Sequence, residues 1–353
     1  MTYCPNCMHP TSGGPCPHCG SSKGWENSAG QLPVGTVIRG GGLNHSYQMG
    51  RALGQGGFGV TYIAVDLNRK QRVAIKEYFP SKCAQRIGVY VEPKHGMDAV
   101  YNGGRISFVK EAQMLASLEG MPSVVQGLDY LEVNGTAYLV MEYLDGTTLR
   151  QIVETNGKML AEELLPKMEI LMKDIHKLHN KNVVHRDIAP DNIMWMPDNT
   201  LKLLDFGCAR SVEDGKSLTI MLKPGFAPLE QYQSKGQGAW TDVYALAATI
   251  YYCLTGVRPP VSTERLMEEI PLQSPISLGA ALTPEEEEAL LWGMELKAQE
   301  RPINMDVFAQ RLFPVPVPKP APVPEPIPAP AVPRPNLIRR MLVWLREQFG
   351  GGR

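Results

Sequence analysis

Polar and apolar positions change period several times along the chain, and each change marks an element. In "YQMGRALGQGGFGVTYIAVD" (47–66) apolar residues flank a glycine-rich stretch, and the alternating, β-branched "VTYIAV" predicts strand, turn, strand. "RVAIKEY" is a buried-strand pattern carrying Lys76, and "ISFVKEAQMLASL" sets Leu115 and Leu118 at helical spacing from Glu111. "GLDYLEVNGTAYLVMEYLDG" holds two alternating runs about Asn134-Gly135, a two-residue hairpin signal. "TDVYALAATIYYCLTG" reads as a buried helix. Two stretches lack a core pattern. From Gly20 to about Gly42 the chain is rich in Gly and Ser, as a linker is, and from Pro314 to Pro335 every second or third residue is Pro, which forces an extended spacer. Helical spacing returns in the tail, with Leu337, Ile338, Met341, Leu342, Leu345 and Phe349 apolar and Arg339, Arg340 and Arg346 interleaved.

The boundaries that follow are a cysteine-rich segment (1–22), a linker (23–46), a central domain (47–313), a proline-rich linker (314–335) and a short basic amphipathic helix (336–353). With 353 residues, 43% of them hydrophobic, the chain can bury a sizeable core. Its 35 Lys and Arg nearly balance 36 Asp and Glu, so no overall field favours nucleic acid or an anionic membrane. "MTYCPNCMHP" lacks the regions of a signal peptide, and no stretch approaches the roughly 20 apolar residues of a membrane span. A cytoplasmic protein is expected. The tail helix has two readings, docking on a membrane surface or partner groove and packing back on its own domain.

"CPNC" and "CPHC" place Cys4, Cys7, Cys16 and Cys19 as two CxxC turns with eight residues between them. That is ligand spacing for a closed, structural Cys4 zinc site, favoured over disulfides in a reducing compartment. His9 and His18 lie close by, but four thiolates saturate the ion. The segment resembles a short zinc ribbon. Being almost devoid of Lys and Arg, it suits a protein partner better than nucleic acid.

Gly54, Gly56 and Gly59 follow GxGxxG spacing, but a strand follows the last glycine where a dinucleotide fold would have a helix. Gly-rich loop, "VAIK", "HRDIAPDN", "DFG" and a variant "APLE" then occur in one order. Over about 265 residues this resembles a bacterial Ser/Thr protein kinase: an α+β, bilobal fold with a β-rich N-lobe and an α-helical C-lobe. The resemblance implies that Gly54, Gln55, Gly56, Gly57, Phe58 and Gly59 cover the phosphates of ATP, which Lys76 holds, oriented by Glu111. Thr61, Ala74 and Met194 would enclose the adenine, Met141 would back its pocket, and Glu142 and Leu144 would offer it backbone groups. Asp187 would take or orient the proton of a substrate hydroxyl, while Asn192 and Asp205 would hold Mg2+ or Mn2+. Asp242 would brace the catalytic loop, and Glu230 and Arg301 would tie the activation segment to the C-lobe. Lys76 and Glu111 are 35 residues apart, so 82–104 is expected to be an insertion.

One departure stands inside the catalytic loop. Ser/Thr kinases carry a Lys two residues after the catalytic Asp, and this chain has Ala189 there. In "MLKPGFAPLE", Lys223 replaces a Thr that touches that Lys in the resembling family, so the cation is expected to have crossed the cleft. Cys208 is read as a small buried filler, and Arg186 as a site for a phosphate added to Ser217 or Thr219, an autophosphorylation control. The resemblance implies a kinase acting on Ser or Thr of protein substrates. The alternatives are a nucleotide-binding pseudokinase scaffold and a small-molecule kinase.

Overall fold

The computed structural model describes residues 2–22, 25–28, 30–118, 120–206, 210–211, 222–233, 236–314 and 337–349. Two units separate, 1–314 and 315–353. The first opens with a small hairpin, β1 (Thr2–Tyr3) and β2 (Pro10–Thr11), followed by β3 (Val37–Gly40), β4 (His45–Gln55), β5 (Gly59–Asp66) and β6 (Gln71–Tyr78). A second hairpin, β7 (Ala84–Ile87) and β8 (Tyr90–Pro93), precedes α1 (Asp98–Ala116), β9 (Gly127–Val133) and β10 (Thr136–Glu142). The main sheet is antiparallel, in the order β3-β4-β5-β6-β10-β9. Asn134 and Gly135 both have positive φ, 56° and 74°, as the Asn-Gly pair requires of a tight hairpin turn.

The stretch read as a linker, 23–46, is instead partly structural. It contributes β3 and buries Leu32, and Asn27 bonds to the carbonyls of Leu32 and Gly50 while accepting from Ala52 N–H. Short polar residues that satisfy neighbouring backbone look like loop in sequence, and only the sheet edge beside them makes them part of a domain. The expected insertion is the β7–β8 hairpin and the start of α1. It caps the β9–β10 turn: Val91 N–H donates to Asn134 O at 2.9 Å, and Tyr101 Oη to Gly135 O at 2.9 Å. Arg86 in β7 pairs with Glu77, whose side chain is completely buried, and its Nε donates to Gly30 O at 2.8 Å. A buried carboxylate needs such a partner, so the hairpin brings the charge that lets β6 carry Glu77 inward.

The C-terminal half begins with β11 (Thr147–Thr148), α2 (Leu149–Asn156) and α3 (Ala161–Asn180). Next come β12 (Val183–Val184), a 3-10 turn (Pro190–Asn192), β13 (Ile193–Trp195), β14 (Leu201–Leu203) and β15 (Arg210–Ser211). The helices α4 (Leu229–Tyr232), α5 (Ala239–Thr255), α6 (Ser262–Met267), α7 (Pro284–Gly293) and α8 (Met305–Leu312) complete the lobe. In α5 every residue from Thr241 to Thr255 is buried, because a helix apolar on all sides can only sit inside. The tail helix α9 (Leu337–Phe349) belongs to the second unit. The proline-rich 315–336 lies outside the described residues, as do Cys208, Ser217 and Thr219.

The N-terminal segment docks on the sheet of its own chain. Met8 is buried with Ile63 and Val65, with Tyr3, Leu67 and Tyr143 packed around them. Arg51 N–H donates to Pro5 O at 2.9 Å and Arg51 Nε to Asn6 O at 3.1 Å. Gly50 makes the approach feasible, since a Cβ there would lie 2.7 Å from Met8 Sδ and 2.8 Å from Pro5 O.

Candidate active site

The four cysteine sulfurs all lie within 4.8 Å of one another, with Cys4–Cys19 at 3.7 Å and Cys7–Cys16 at 3.6 Å. A tetrahedral ion with Zn–S of about 2.3 Å sets its sulfurs about 3.8 Å apart, so the cluster has the right size for zinc, and far too large a spacing for S–S bonds of about 2.05 Å. His9 and His18 stack on each other at 3.8 Å between ring centroids and take no part in the cluster.

Between the lobes, β4 and β5 are joined by the glycine turn, where Gly56 N–H donates to Gly59 O at 2.9 Å. The glycines have different reasons. A Cβ on Gly54 or Gly56 would meet nothing within 4 Å, leaving open space for phosphate oxygens, whereas one on Gly59 would lie 2.1 Å from Glu77 O. Gly59 is therefore dictated by close strand packing. Gln55, Gly57 and Phe58 complete the turn, with Phe58 O accepting from Phe79 N–H at 3.0 Å. Under it, Thr61 faces Lys76 across β5–β6, and Ala74 pairs with Met141 across β6–β10. The N–H of Glu142 is spent on Gln126 O at 3.0 Å, so its carbonyl is the group it can present to a base; Leu144 follows, half-buried. Met194 lies in β13, opposite Lys202.

Lys76 Nζ is 2.5 Å from Asp205 Oδ1 and 3.6 Å from Glu111 Oε1, so the strand cation and both acids meet despite the long spacing in sequence. Burial pushes the Glu111 carboxyl above the usual carboxylate range; Lys76 pulls it back and Asp205 adds to the rise. Asp205 itself has φ of 49°, a strained backbone for a non-glycine residue.

On the other side of the cleft, Asp187 accepts Asn192 Nδ2 at its Oδ2 (2.7 Å) and at its carbonyl (2.8 Å). The amide donor of Asn192 is thereby spent, which leaves its carbonyl oxygen as the group it can offer a metal ion. Burial pushes the Asp187 carboxyl up to about 6, against the pull of Lys223 and with a further push from Asp205. Lys223 Nζ lies 3.4 Å from Asp187 Oδ2 and 4.0 Å from Asp191 Oδ2. Asp187, Lys223, Ile188, Leu222, Phe226 and Gln231 line a small recess beside the two charged groups.

Two buried acids hold this arrangement from below. Asp242, in the first turn of α5, accepts the N–H groups of His185 and Arg186 at 2.8 Å each and His179 Nε2 at 2.9 Å. Burial pushes its carboxyl up, but the hydrogen bond and charge of His179, with His185 and the Arg186 donor, hold it below the usual range. A helix N-terminus favours that charge. Glu230 receives both arms of the Arg301 guanidinium at 2.8 and 2.9 Å, anchoring the end of the segment that carries Lys223. Sequence reasoning missed Arg150, which grips Asp191 from α2; no spacing connects residues 41 positions apart.

Residues 47–289 match the family model described as the protein kinase domain. The chain belongs to the protein kinase family. This kinase is 32% identical over 225 residues to the serine/threonine-protein kinase PknB of Mycobacterium leprae, covering 62% of this chain and 33% of that protein. It is 30% identical over 278 residues to serine/threonine-protein kinase B of a Synechocystis strain, covering 73% of this chain and 43% of the relative. A solved structure titled "PpkA-294 apo form" is 32% identical, covers 80% of this kinase and 100% of that chain, and has a TM-score of 0.69. The kinase thus spans about a third to under half of the curated relatives it matches.

Proposed function

We propose that this kinase transfers the γ-phosphoryl of ATP to Ser or Thr hydroxyls of protein substrates. The observation that carries the reading is the convergence of Lys76, Glu111 and Asp205 on one wall of the cleft with Asp187, Asn192 and Lys223 on the other. Lys76 orients the phosphates, and Asp187 takes or orients the proton of the attacking hydroxyl. Asn192 and Asp205 are oxygen donors suited to Mg2+, which when bound neutralises phosphate charge. Lys223 supplies positive charge beside the negatively charged oxygens of the transferred phosphoryl group. A scaffold has no use for a cation regained across the cleft from where Ala189 lacks one. Incubation with labelled ATP, Mg2+ and a general protein substrate is expected to label Ser and Thr; ATP binding with no transfer to any protein would favour the scaffold reading. Ser217 and Thr219 are proposed autophosphorylation sites, to be checked by mapping the product.

The ribbon is proposed to bind one zinc through Cys4, Cys7, Cys16 and Cys19 and to brace its own N-lobe, so that any protein partner meets its remaining surface. Metal analysis is expected to give one zinc per chain, and Met8→Ala to cost about 2–5 kcal/mol in stability, as removal of a buried Met side chain does. A melting temperature unmoved by both Met8→Ala and chelation would mean that the ribbon does not brace the lobe.

The tail helix is proposed to rest on an anionic membrane surface. Ile338, Met341, Leu342, Val343, Trp344 and Leu345 are exposed in α9, with Arg339, Arg340 and Arg346 among them. Among the described residues no helix is long and apolar enough to cross a membrane. The full chain is expected to sediment with anionic vesicles, and a chain ending at Pro318 to stay in the supernatant. Equal sedimentation would leave a protein groove as the tail's seat.

A further inference from the structure

Lys223 stands between two carboxylates, and what decides which of them holds it is a residue outside every motif. Asp191 Oδ2 is 4.0 Å from Lys223 Nζ, while Asp187 Oδ2 is 3.4 Å away. An ammonium placed between two acids is drawn to the one whose charge is less compensated. Of these two acids Arg150 compensates Asp191: its NH2 group donates to Asp191 Oδ2 at 3.0 Å and its Nε to Oδ1, a two-pronged grip. The guanidinium lies over the Tyr252 ring, 5.8 Å from its centroid, and its NH1 group is 3.6 Å from Glu154. Its backbone is fixed as well. Thr148 caps α2 by accepting from Gln151 N–H at 3.2 Å, and Gln151 returns a bond to Thr148 N–H at 3.1 Å, so Arg150 leaves the helix from a set position.

We propose that Arg150 is a positioning residue for phosphoryl transfer: by neutralising Asp191 it leaves the Lys223 ammonium to Asp187 and to the transferring group. The inference rests on the reading of Lys223 given above and assigns what orients it. Arg150 acts through Asp191, the carboxylate its guanidinium holds. Without it, Asp191 becomes an uncompensated acid within reach of Lys223 and pulls the ammonium off Asp187.

The test is a set of single and double substitutions, with kcat and KM for ATP measured on the full chain. Arg150→Gln is expected to lower kcat about tenfold or more with KM for ATP changed less than about threefold, because the charge is needed in the transition state and not for nucleotide binding. Arg150→Gln with Asp191→Asn is expected to be several-fold faster than Arg150→Gln alone, since the competing acid is gone. A purely structural role would instead make the double variant slower. In a Lys223→Thr background, Arg150→Gln should have no further effect on kcat. Parent-like turnover of Arg150→Gln, or a double variant no faster than it, overturns the proposal while a slow Lys223→Thr variant upholds the role of Lys223. If Lys223→Thr itself turns over like the parent, the reading of Lys223 falls and this inference with it.

Discussion

Asp187→Asn is expected to lower turnover about 10²- to 10⁴-fold while ATP binds as before, the loss typical of a removed proton acceptor. The amide is the same size and still accepts the Asn192 donor through its oxygen, so the loop keeps its shape; what it cannot do is take a proton. The parent protein should show the corresponding pH dependence. Burial holds the Asp187 carboxyl at about 6, with Lys223 opposing and Asp205 reinforcing the rise. Below that pH the group is protonated and cannot accept, so kcat/KM should fall about tenfold per unit on the acid side and level off above. Steady-state rates for both proteins across about pH 5 to 8 check this. An Asn variant that turns over like the parent, or a parent profile without the acid limb, would remove Asp187 from the proton path.

Lys223→Thr is expected to lower turnover about 10²- to 10³-fold, again with ATP affinity little changed, because a charge acting on the developing phosphoryl anion is worth on the order of 3 to 4 kcal/mol. Its ammonium stands 3.4 Å from the Asp187 carboxylate, on the activation segment just ahead of a buried Glu230–Arg301 pair that fixes the segment's end. Ala189, where related loops carry the Lys, is completely buried. Ala189→Lys alone should therefore crowd the loop and slow the enzyme. Combined with Lys223→Thr, which vacates space and removes the competing cation, it should recover much of the rate. Assays of the two single variants and the double variant decide the matter, and a double variant no better than Lys223→Thr would show that the charge cannot be supplied from the loop side.

The order of motifs, the antiparallel runs about Asn134-Gly135 and the inward face of the Glu111 helix were readable because each rests on local chemistry: β-branched alternation, a turn that tolerates positive φ, helical spacing. The cysteine pairs were readable for the same reason, since ligand geometry constrains spacing directly. Gly59 was readable as a glycine but not for its cause, which is a carbonyl of the neighbouring strand. The role of the 82–104 insertion was not readable because it is held by partners elsewhere: Arg86 pairs with Glu77, and Val91 bonds the turn at Asn134. The same holds for the stretch before the sheet, where Leu32 and Asn27 gain meaning only once β4 passes beside them.

By itself, then, the sequence determined the strands beside the glycine-rich turn, the hairpin at Asn134-Gly135, the Glu111 helix and the buried α5, and which residue types suit phosphoryl transfer, since those follow from short-range sterics and from side-chain chemistry; β3 and the β7–β8 hairpin carried no such local signal. Tertiary structure alone decided that Met8 seats the cysteine segment on the N-lobe, that Arg86 meets the buried Glu77, and that Arg150 grips Asp191. These are pairings between charges or apolar groups far apart in the chain. A lone Arg or Met carries no mark of its partner, because Coulombic and hydrophobic attractions act through space and leave no periodicity along the backbone.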